Sequence, residues 1–307
     1  MAHARPIRSL DPASPAATAL AEGRYVIRRM TLDDFRRTAR PWMAEAGWDP
    51  GLDDGPSFLA ADPAGFLIGE LDGVPVATVS GVRYDDSFAF LGCYLVAASY
   101  RGAGYGLAIH EAARARLAGC LQGGDAVPER VATYARIGRI PAYSNRRFAG
   151  IPVRPAARDR RLAAHLVDAA DLPLLDLAAY DRTCFPGPRP GFLDTWVRQP
   201  GAHARAIVSR GRIGGFGVVR PAEAGWRVGP LFADDAATAR TILLALVDTV
   251  PSRASVAIDV PEPNGPAIAL AAELGLPQVF ETVRTYTGPA PSIRLDRVYG
   301  VTTLELG

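Results

Sequence analysis

The sequence of 307 residues contains no lysine, because all 34 of its Lys and Arg residues are arginine. This absence excludes three kinds of site that each require an ε-amino group: a Walker-type phosphate loop, a pyridoxal Schiff base and a lysine nucleophile. The chemistry of this chain therefore has to be sought in other residue types.

Cysteine, long apolar runs and strong net charge are also scarce. Cys93, Cys120 and Cys184 are too few and too scattered for a disulfide framework or a zinc site. No apolar run approaches the ~18 residues of a membrane span, and a net charge of +2 gives no broad basic field for nucleic acid. A composition of 49% hydrophobic and 21% charged residues predicts one large or two ordinary globular domains in the cytoplasm.

The most informative stretch is 94–106, which runs from an apolar strand through a loop of small residues into a helix. Gly102, Gly104 and Gly106 carry no Cβ, so the main chain can turn tightly there and approach a ligand with its N–H groups. The N-terminus of the helix, which Gly119 ends, adds a partial positive charge that favours an anion. The pattern predicts a phosphate-binding loop.

The strands before this loop are predicted to form an antiparallel meander. Strands at 66–71 and 74–81 flank Asp72 and Gly73, which are the strongest short hairpin signal, and a third strand covers 88–96. A dinucleotide-binding domain would instead open with a βαβ unit. The topology therefore argues against that interpretation of the glycines.

The loop resembles the pyrophosphate loop of the GNAT N-acetyltransferases, which reads Arg/Gln-x-x-Gly-x-Gly/Ala and is matched by Arg101-Gly102-Ala103-Gly104-Tyr105-Gly106. A second family feature, a tyrosine four residues before the glycine that ends the next helix, is matched by Tyr134 and Gly138. Further segments are similar to the two-part YitH-like branch of that family, and they are Asp181–Pro186, Gly229–Asp234, Asp259–Asn264 and Tyr299–Gly307. The resemblance covers roughly residues 24–307.

The resemblance implies an α/β fold (α+β, mixed sheet) of tandem GNAT-like domains. Each would be a mostly antiparallel sheet with a splayed central strand and flanking helices. Residues 1–23 are rich in Ala and Pro and lack the apolar stretch of a signal peptide, so they are predicted to be a flexible arm. The predicted parts are this arm, an acetyl-CoA-binding domain at 24–150, a linker at 151–167 and a degenerate GNAT-like domain at 168–307.

The second half repeats the element order of the first half. Gly73 and Gly138 stand almost the same distance apart as Gly211 and Gly275, which hold the corresponding hairpin and helix-end positions. The second half lacks the glycine loop, because 233–235 reads Ala-Asp-Asp, whose carboxylates would repel a pyrophosphate. We therefore expect one cofactor site, in the first domain, with the second domain shaping the substrate pocket.

The function implied by the resemblance is acetyl-CoA-dependent N-acetylation of a small primary amine or amino acid, by direct attack on the thioester. The oxyanion would be stabilised by a main-chain N–H near Leu95 or Val96, where the strand splays. Residues expected to bind acetyl-CoA are Leu95, Val96, Arg101, Gly102, Ala103, Gly104, Tyr105 and Gly106. The alternatives are a non-catalytic acyl-CoA-binding or regulatory protein and a transferase of a larger acyl or aminoacyl group.

Two residues are candidates for proton transfer. Tyr134 is the expected acid for the departing thiolate, because a phenol has a pKa of about 10, and the alternative is that it only packs the helix. Asp125 could take the proton of the amine directly or through water, although a strand-end Asp is commonly a turn or cap residue. Water alone could also carry that proton. His110 and His203 are predicted to be structural or exposed, and Cys93 to be a buried structural thiol.

Acceptor-binding residues are predicted on two segments. Tyr94 lies on the strand before the glycine loop, and the segment that follows Asp181 contains Phe185 and Arg189, of which Arg189 would hold a carboxylate. The alternative is that the aromatic residues of this segment seal the junction between the domains. The expected partner is a small-molecule amine, with no metal, nucleic acid or membrane, and a homodimer is left open.

Overall fold

The computed structural model describes residues 10–156 and 159–307. Its strands are β1 (Tyr25–Arg29), β2 (Phe66–Leu71), β3 (Val74–Arg83), β4 (Phe88–Val96), β5 (Leu121–Ala126), β6 (Ile140–Gly150), β7 (Leu166–Asp168), β8 (His203–Ser209), β9 (Arg212–Ala222), β10 (Gly225–Ala233), β11 (Val256–Pro261), β12 (Gln278–Tyr286) and β13 (Val298–Gly300). Its α-helices are α1 (Pro15–Ala21), α2 (Leu32–Asp34), α3 (Arg40–Glu45), α4 (Asp54–Ala61), α5 (Tyr105–Arg116), α6 (Val131–Ala135), α7 (Arg160–Ala163), α8 (Leu174–Cys184), α9 (Pro190–Trp196), α10 (Ala236–Val247) and α11 (Gly265–Glu273). A π-helical turn joins α2 to α3.

The strands form a 13-stranded mixed sheet that runs through both halves of the chain, in the order β1-β2-β3-β4-β5-β12-β6-β11-β10-β9-β8-β7, with β13 beside β10. The two halves exchange strands, because β12 lies between β5 and β6 while β6 pairs with β11. Each half thus covers a sheet edge of the other with main-chain hydrogen bonds, which removes two exposed edges. The predicted tandem α/β arrangement is confirmed, but its two sheets are joined into one.

The order of elements in the first half repeats in the second half. The β2–β3 hairpin turns at Asp72 and Gly73, both with positive φ, and the β8–β9 hairpin turns in the same way at Arg210 and Gly211. A parallel pair follows the hairpin in each half, β4 with β5 and β10 with β11. Helices α5 and α10 make the crossovers between these parallel strands, as parallel pairing requires.

The prediction of a flexible N-terminal arm is wrong for residues 15–21, because these residues form helix α1. Ser14 caps this helix by accepting a hydrogen bond from the Ala17 N–H, and Ala16 and Ala19 are buried against α5. Small side chains let the two helices approach closely, which orders the segment. Residues 1–9 of the predicted arm and 157–158 of the predicted linker lie outside the described residues.

A shared core joins the two halves near α4 and α9. Phe58 stacks on Trp196 with ring centroids 6.2 Å apart, and the Arg220 guanidinium lies over the same indole at 4.3 Å. Arg220 also forms a buried ion pair with Asp54 at 2.7 Å. The aromatic residues of α9 therefore seal the junction, which is the alternative considered for this segment above. Within the described residues, no helix is long and apolar enough to cross a membrane.

Candidate functional site

The site is a gap between β4 and β5. These strands pair in parallel only from Phe88 to Phe90, opposite Leu121 to Gly123, and then diverge. A cavity of about 750 Å³ occupies the gap and extends along the start of α5 to α6, β12 and residues 304–305. This volume lies within the range of small-molecule sites. Both halves of the chain therefore contribute to its lining.

A bulge in β4 lies at the entrance to this gap. The pairing of β3 with β4 shifts between Ser80 opposite Gly92 and Thr78 opposite Leu95, and Cys93 has a φ of 47°. A hydrogen bond from Thr78 Oγ1 to the Cys93 carbonyl, 3.0 Å long, fixes this conformation. The bulge thus lies at residues 93–94, just before the Leu95 and Val96 expected for the splay, and those two residues line the cavity.

The glycine loop has the geometry of an anion site. Gly102 and Gly104 have φ values of 79° and 94°, a conformation that other residues adopt at a cost. The described part of the protein supplies no acceptor for the main-chain N–H groups of residues 102–107. These N–H groups and the N-terminus of α5 together favour a phosphate or pyrophosphate.

The neighbours of the loop hold it in place. The Ala16 N–H donates to the Ala103 carbonyl at 3.1 Å, and the ring of Tyr105 packs on Tyr25 with centroids 4.9 Å apart. Ala103 and Tyr105, both expected to bind the cofactor, do not line the cavity, and the Tyr105 side chain is buried against its neighbours. A Cβ on Gly106 would lie 2.6 Å from the Tyr94 hydroxyl, so only glycine fits beneath that ring.

Tyr134, the predicted acid, lines the cavity from α6, and its hydroxyl has no hydrogen-bond partner among the described residues. Burial raises the pKa of Tyr134, so the phenol keeps its proton and can donate it. Tyr94 also lines the cavity. Its pKa is raised to about 12, mainly because the side chain is buried and to a smaller extent because Tyr134 lies nearby. His110 packs against Tyr94, and burial lowers the pKa of this histidine to about 4, which keeps it neutral.

Asp125 lines the cavity, but its carboxylate is already occupied. Arg284 donates to both of its oxygens at 2.9–3.1 Å, and Asn145 Nδ2 donates to Oδ1 at 2.9 Å. Accepting a proton would break a buried ion pair, which is costly. The structure therefore argues against the predicted role of general base and gives Asp125 a structural role that ties β5 to β6 and β12.

The predicted acceptor residues of the second half lie away from the cavity. Arg189 donates to Asp181 at 2.7–2.9 Å and to Thr302 Oγ1 at 2.8 Å, with the side chains of the ion pair almost fully buried. Phe185 packs on Phe88. Arg189 Nη1 is left without a hydrogen-bond partner among the described residues, but it is buried, and none of these three residues lines the cavity. The structure therefore argues against the acceptor roles predicted for Asp181, Phe185 and Arg189.

The cavity-lining residues that sequence reasoning missed include Trp48, Arg139, Phe280 and Glu305. Arg139 is buried, and it donates to Thr285 Oγ1 at 2.9 Å and to the Gln122 carbonyl at 3.4 Å. No carboxylate pairs with Arg139 among the described residues, and burial lowers its pKa to about 10. A buried cation without a counterion suits an anionic ligand group. Only Glu305 carried a signal, since it is a charged residue between Leu304 and Leu306.

The corresponding gap in the second half is filled by the chain itself. Strands β10 and β11 pair only from Trp226 to Val228 and then diverge. Strand β13 occupies the space, because Gly300 pairs with Leu231 of β10 and the Val301 N–H donates to the Asp259 carbonyl of β11 at 2.9 Å. Helix α10 begins with the side chain of Asp235 bound to the Thr238 N–H, so its N-terminus is already capped by an anionic group.

Comparisons with known proteins match both halves. A model of the acetyltransferase (GNAT) family matches residues 26–127, and a model of an acetyltransferase (GNAT) domain matches residues 177–300. A holothin acyltransferase from Pseudoalteromonas sp. (strain SANK 73390) is 30% identical over 266 residues, which cover 87% of this chain and 89% of that protein.

Solved structures show the same fold at lower sequence identity. A Pyrococcus horikoshii protein assigned as an acetyltransferase superposes with a TM-score of 0.77 at 23% identity, over 92% of this chain and 96% of that one. A tandem GNAT protein from the clavulanic acid biosynthesis pathway gives a TM-score of 0.59 at 16% identity, over 87% of this chain and 100% of that one. At these identities the two structures support the fold alone.

Proposed function

The chain belongs to the GNAT acetyltransferase family, and on that premise we propose that it transfers an acetyl group from acetyl-CoA to a small primary amine or amino acid. Membership of the family supports acyl transfer of the GNAT type, and we propose in addition that the donor is acetyl-CoA and the acceptor is small. The observation that supports it is the gap between β4 and β5. This gap opens beside the N–H groups of residues 102–107, which have no acceptor within residues 10–156 and 159–307. We also assign the chain to the YitH-like branch, on its segments at 181–186 and 299–307.

The residues of the glycine loop fit the pyrophosphate of coenzyme A. The N–H groups of residues 102–107 would hold it, and a side chain at Gly104 would crowd Ser14 and Ala16 at 3.1–3.2 Å. The guanidinium of Arg101 is oriented by its hydrogen bond to the Val96 carbonyl at 2.9 Å. When bound, acetyl-CoA supplies an activated thioester.

The protein's own groups then have two tasks in the gap. The main-chain N–H groups of β4 around Leu95 and Val96 would stabilise the tetrahedral oxyanion. The Tyr134 hydroxyl would give its proton to the leaving sulfur. Its raised pKa keeps the phenol protonated before the reaction, and it has no hydrogen-bond partner among the described residues that would compete for the proton. Apolar neighbours such as Leu107 and Ile137 would exclude water from the gap.

The volume of the cavity favours a small acceptor. About 750 Å³ has to hold the thioester end of the cofactor together with the acceptor, which leaves little room for a large acyl or aminoacyl group. The buried Arg139 guanidinium would bind a carboxylate when the acceptor is an amino acid, in place of Arg189.

The test is release of free thiol from acetyl-CoA by the purified protein, with a panel of primary amines and the matching amino acids. We expect turnover with at least one small acceptor. Absence of thiol release with every acceptor, together with binding of acetyl-CoA, would favour a non-catalytic acyl-CoA-binding protein.

A further inference from the structure

Glu305 reaches the cavity from the segment 301–307, which is fixed in place along its length. The Leu306 N–H donates to Thr303 Oγ1 at 2.9 Å, and the Tyr84 hydroxyl donates to the Leu306 carbonyl at 2.9 Å. All residues of this segment are buried. The position of Glu305 is therefore determined by the fold and does not depend on a mobile loop.

This segment lies directly against the bulge of β4. A Cβ on Gly92 would overlap the Glu305 carbonyl oxygen, so the two main chains are in contact. The pKa of the Cys93 thiol is raised, mainly by burial and next by the negative charge of Glu305. The Glu305 carboxylate therefore lies close to the bulge residue Cys93. Glu305 lines the same cavity as Leu95, Val96 and Tyr134.

The Glu305 carboxylate is charge-balanced but not hydrogen-bonded. Its Oε1 lies 3.6 Å from Arg227 Nη1, beyond hydrogen-bond distance, and its Oε2 is buried without a hydrogen-bond partner in the described part of the protein. The side chain is only 4% exposed. Arg227 donates its own hydrogen bonds to Asp259 Oδ2 and to the Trp48 and Asp49 carbonyls.

Other buried carboxylates of this protein behave differently. Asp54, Asp125, Asp181 and Asp259 each accept arginine hydrogen bonds on both oxygens. Buried polar atoms are normally satisfied, and an exception calls for a ligand or a functional role. Glu305 Oε2 is thus an acceptor without a donor among the described residues, and it belongs to a residue that lines the cavity.

We propose that Glu305 Oε2 binds the amino group of the acceptor and takes up its proton. This inference rests on the proposed function. The acceptor enters as an ammonium ion, Glu305 accepts one N–H proton, and the neutral amine forms a C–N bond to the thioester carbon. The C–S bond breaks and the thiolate takes a proton from Tyr134. The excess proton on the amide nitrogen passes through water to the tyrosinate, and Glu305 loses its proton to solvent, which restores both side chains.

The test compares wild-type protein with Glu305→Gln, using the best amine found by thiol release. We expect kcat to fall by about 100-fold or more, as for loss of a general base. Titration of the protein with the amine should show at least about tenfold weaker binding to the variant, while acetyl-CoA binding stays within about twofold. Glu262→Gln, which removes an exposed partner of Arg146, is the matched control and should behave as wild type.

A nucleophile that needs no proton removed separates catalysis from a structural role. Hydroxylamine is largely unprotonated at neutral pH, so the loss in Glu305→Gln should be at least about tenfold smaller with hydroxylamine than with the amine. Equal losses with both nucleophiles would overturn the proposal. If Glu305→Gln does not fold, Glu305→Asp is the second variant. It keeps the negative charge that faces Arg227, but its shorter side chain moves the carboxylate oxygen away from the acceptor. An unchanged kcat in Glu305→Asp would also overturn the proposal.

The two proposals fail in different ways. Wild-type protein that releases no thiol with any amine would overturn the proposed function and the role of Glu305 with it. Wild-type turnover that Glu305→Gln retains in full, with unchanged amine binding, would overturn the role of Glu305 alone.

Discussion

The two halves of this protein contain the same splayed pair of parallel strands, but one gap is open and the other is filled. In the first half β4 and β5 diverge around a cavity. In the second half β10 and β11 diverge around β13 and Val301 of the same chain. Where two strands diverge, their main-chain N–H and C=O groups need other hydrogen-bond partners. In the filled gap residues of the same chain supply these hydrogen bonds, whereas in the open gap a ligand has to supply them.

The helices that follow the two gaps differ in the same way. Helix α5 begins after glycines with positive φ, and its first N–H groups have no acceptor among the described residues. Helix α10 begins with Asp235, whose carboxylate caps the Thr238 N–H. An anion can therefore bind at the first helix, whereas the second already carries one. We therefore expect the first half to bind the ligand and the second half to support the site.

The largest expected effect comes from altering the glycine loop of the open half. Gly102→Val places a branched side chain at a φ of 79° in the loop, which should distort the N–H groups and weaken acetyl-CoA binding by more than about 100-fold, as measured by calorimetry. Gly119→Val is the matched control, because Gly119 has a φ of 86° and open space around its Cβ at the other end of α5. Equal affinity in the two variants would contradict a role for the loop.

The second prediction concerns the proton donor of the open half. Tyr134→Phe should lower kcat by about 100-fold and leave the affinity for acetyl-CoA within about twofold, because only the acid is removed. Tyr143→Phe changes a half-buried tyrosine that lines a separate cavity and should keep wild-type kcat. Steady-state kinetics and calorimetry on both variants make the comparison. Full activity of Tyr134→Phe would leave Tyr134 as a packing residue.

The same small substitution should act differently in the two gaps. A Cβ on Gly229 would overlap the Thr302 carbonyl in the filled gap, so Gly229→Ala should lower the free energy of unfolding by about 3 kcal/mol, as overpacking does. A Cβ on Gly92 would displace Glu305 at the open gap. Gly92→Ala should therefore reduce kcat in addition to any loss of stability. Denaturant unfolding and thiol release on each variant test this difference.

The smallest expected effect is a pH dependence confined to the open half. His110 on α5 is buried and its pKa is lowered to about 4, below the value of about 6.5 in an unfolded chain. The unfolded state therefore binds more protons between these values, so the free energy of unfolding should fall by about 2 kcal/mol from pH 7 to pH 5. The position that corresponds to His110 in α10 is Thr241, which does not titrate.

The matched variant His110→Gln checks the origin of that pH dependence. It should remove this part of the loss of stability between pH 7 and pH 5, measured by denaturant unfolding at both values. An unchanged slope in His110→Gln would assign the pH dependence to other groups.

Local signals in the sequence predicted much of the fold. Asp72 and Gly73 adopt the positive φ values that a two-residue hairpin needs, and the glycine loop with the helix after it lies where the pattern placed it. Exchange of β6 and β12 could not be predicted, because both strands have the same local pattern whichever sheet edge they join. The bulge at Cys93 was also hidden, since a positive φ at a cysteine has no sequence signal.

Site residues were easier to predict where main-chain N–H groups would bind the ligand than where a side chain would bind it or react with it. The loop at residues 101–106 depends on glycine conformation, which the sequence reveals directly. Arg189 and Asp125 were misassigned because residue type does not show that a buried partner, Asp181 or Arg284, already occupies the side chain. Glu305 was missed because strand exchange and the path of residues 301–307 bring it to β4 from the far end of the chain.

The most direct test of the comparison is titration of the purified protein with acetyl-CoA, with the number of sites per chain as the quantity measured. The account predicts one site, lost in Gly102→Val and retained in Asp235→Ala, which alters the start of the second crossover helix. Two sites per chain, or binding that depends on Asp235 and not on Gly102, would contradict the assignment of the open gap as the acyl-CoA site.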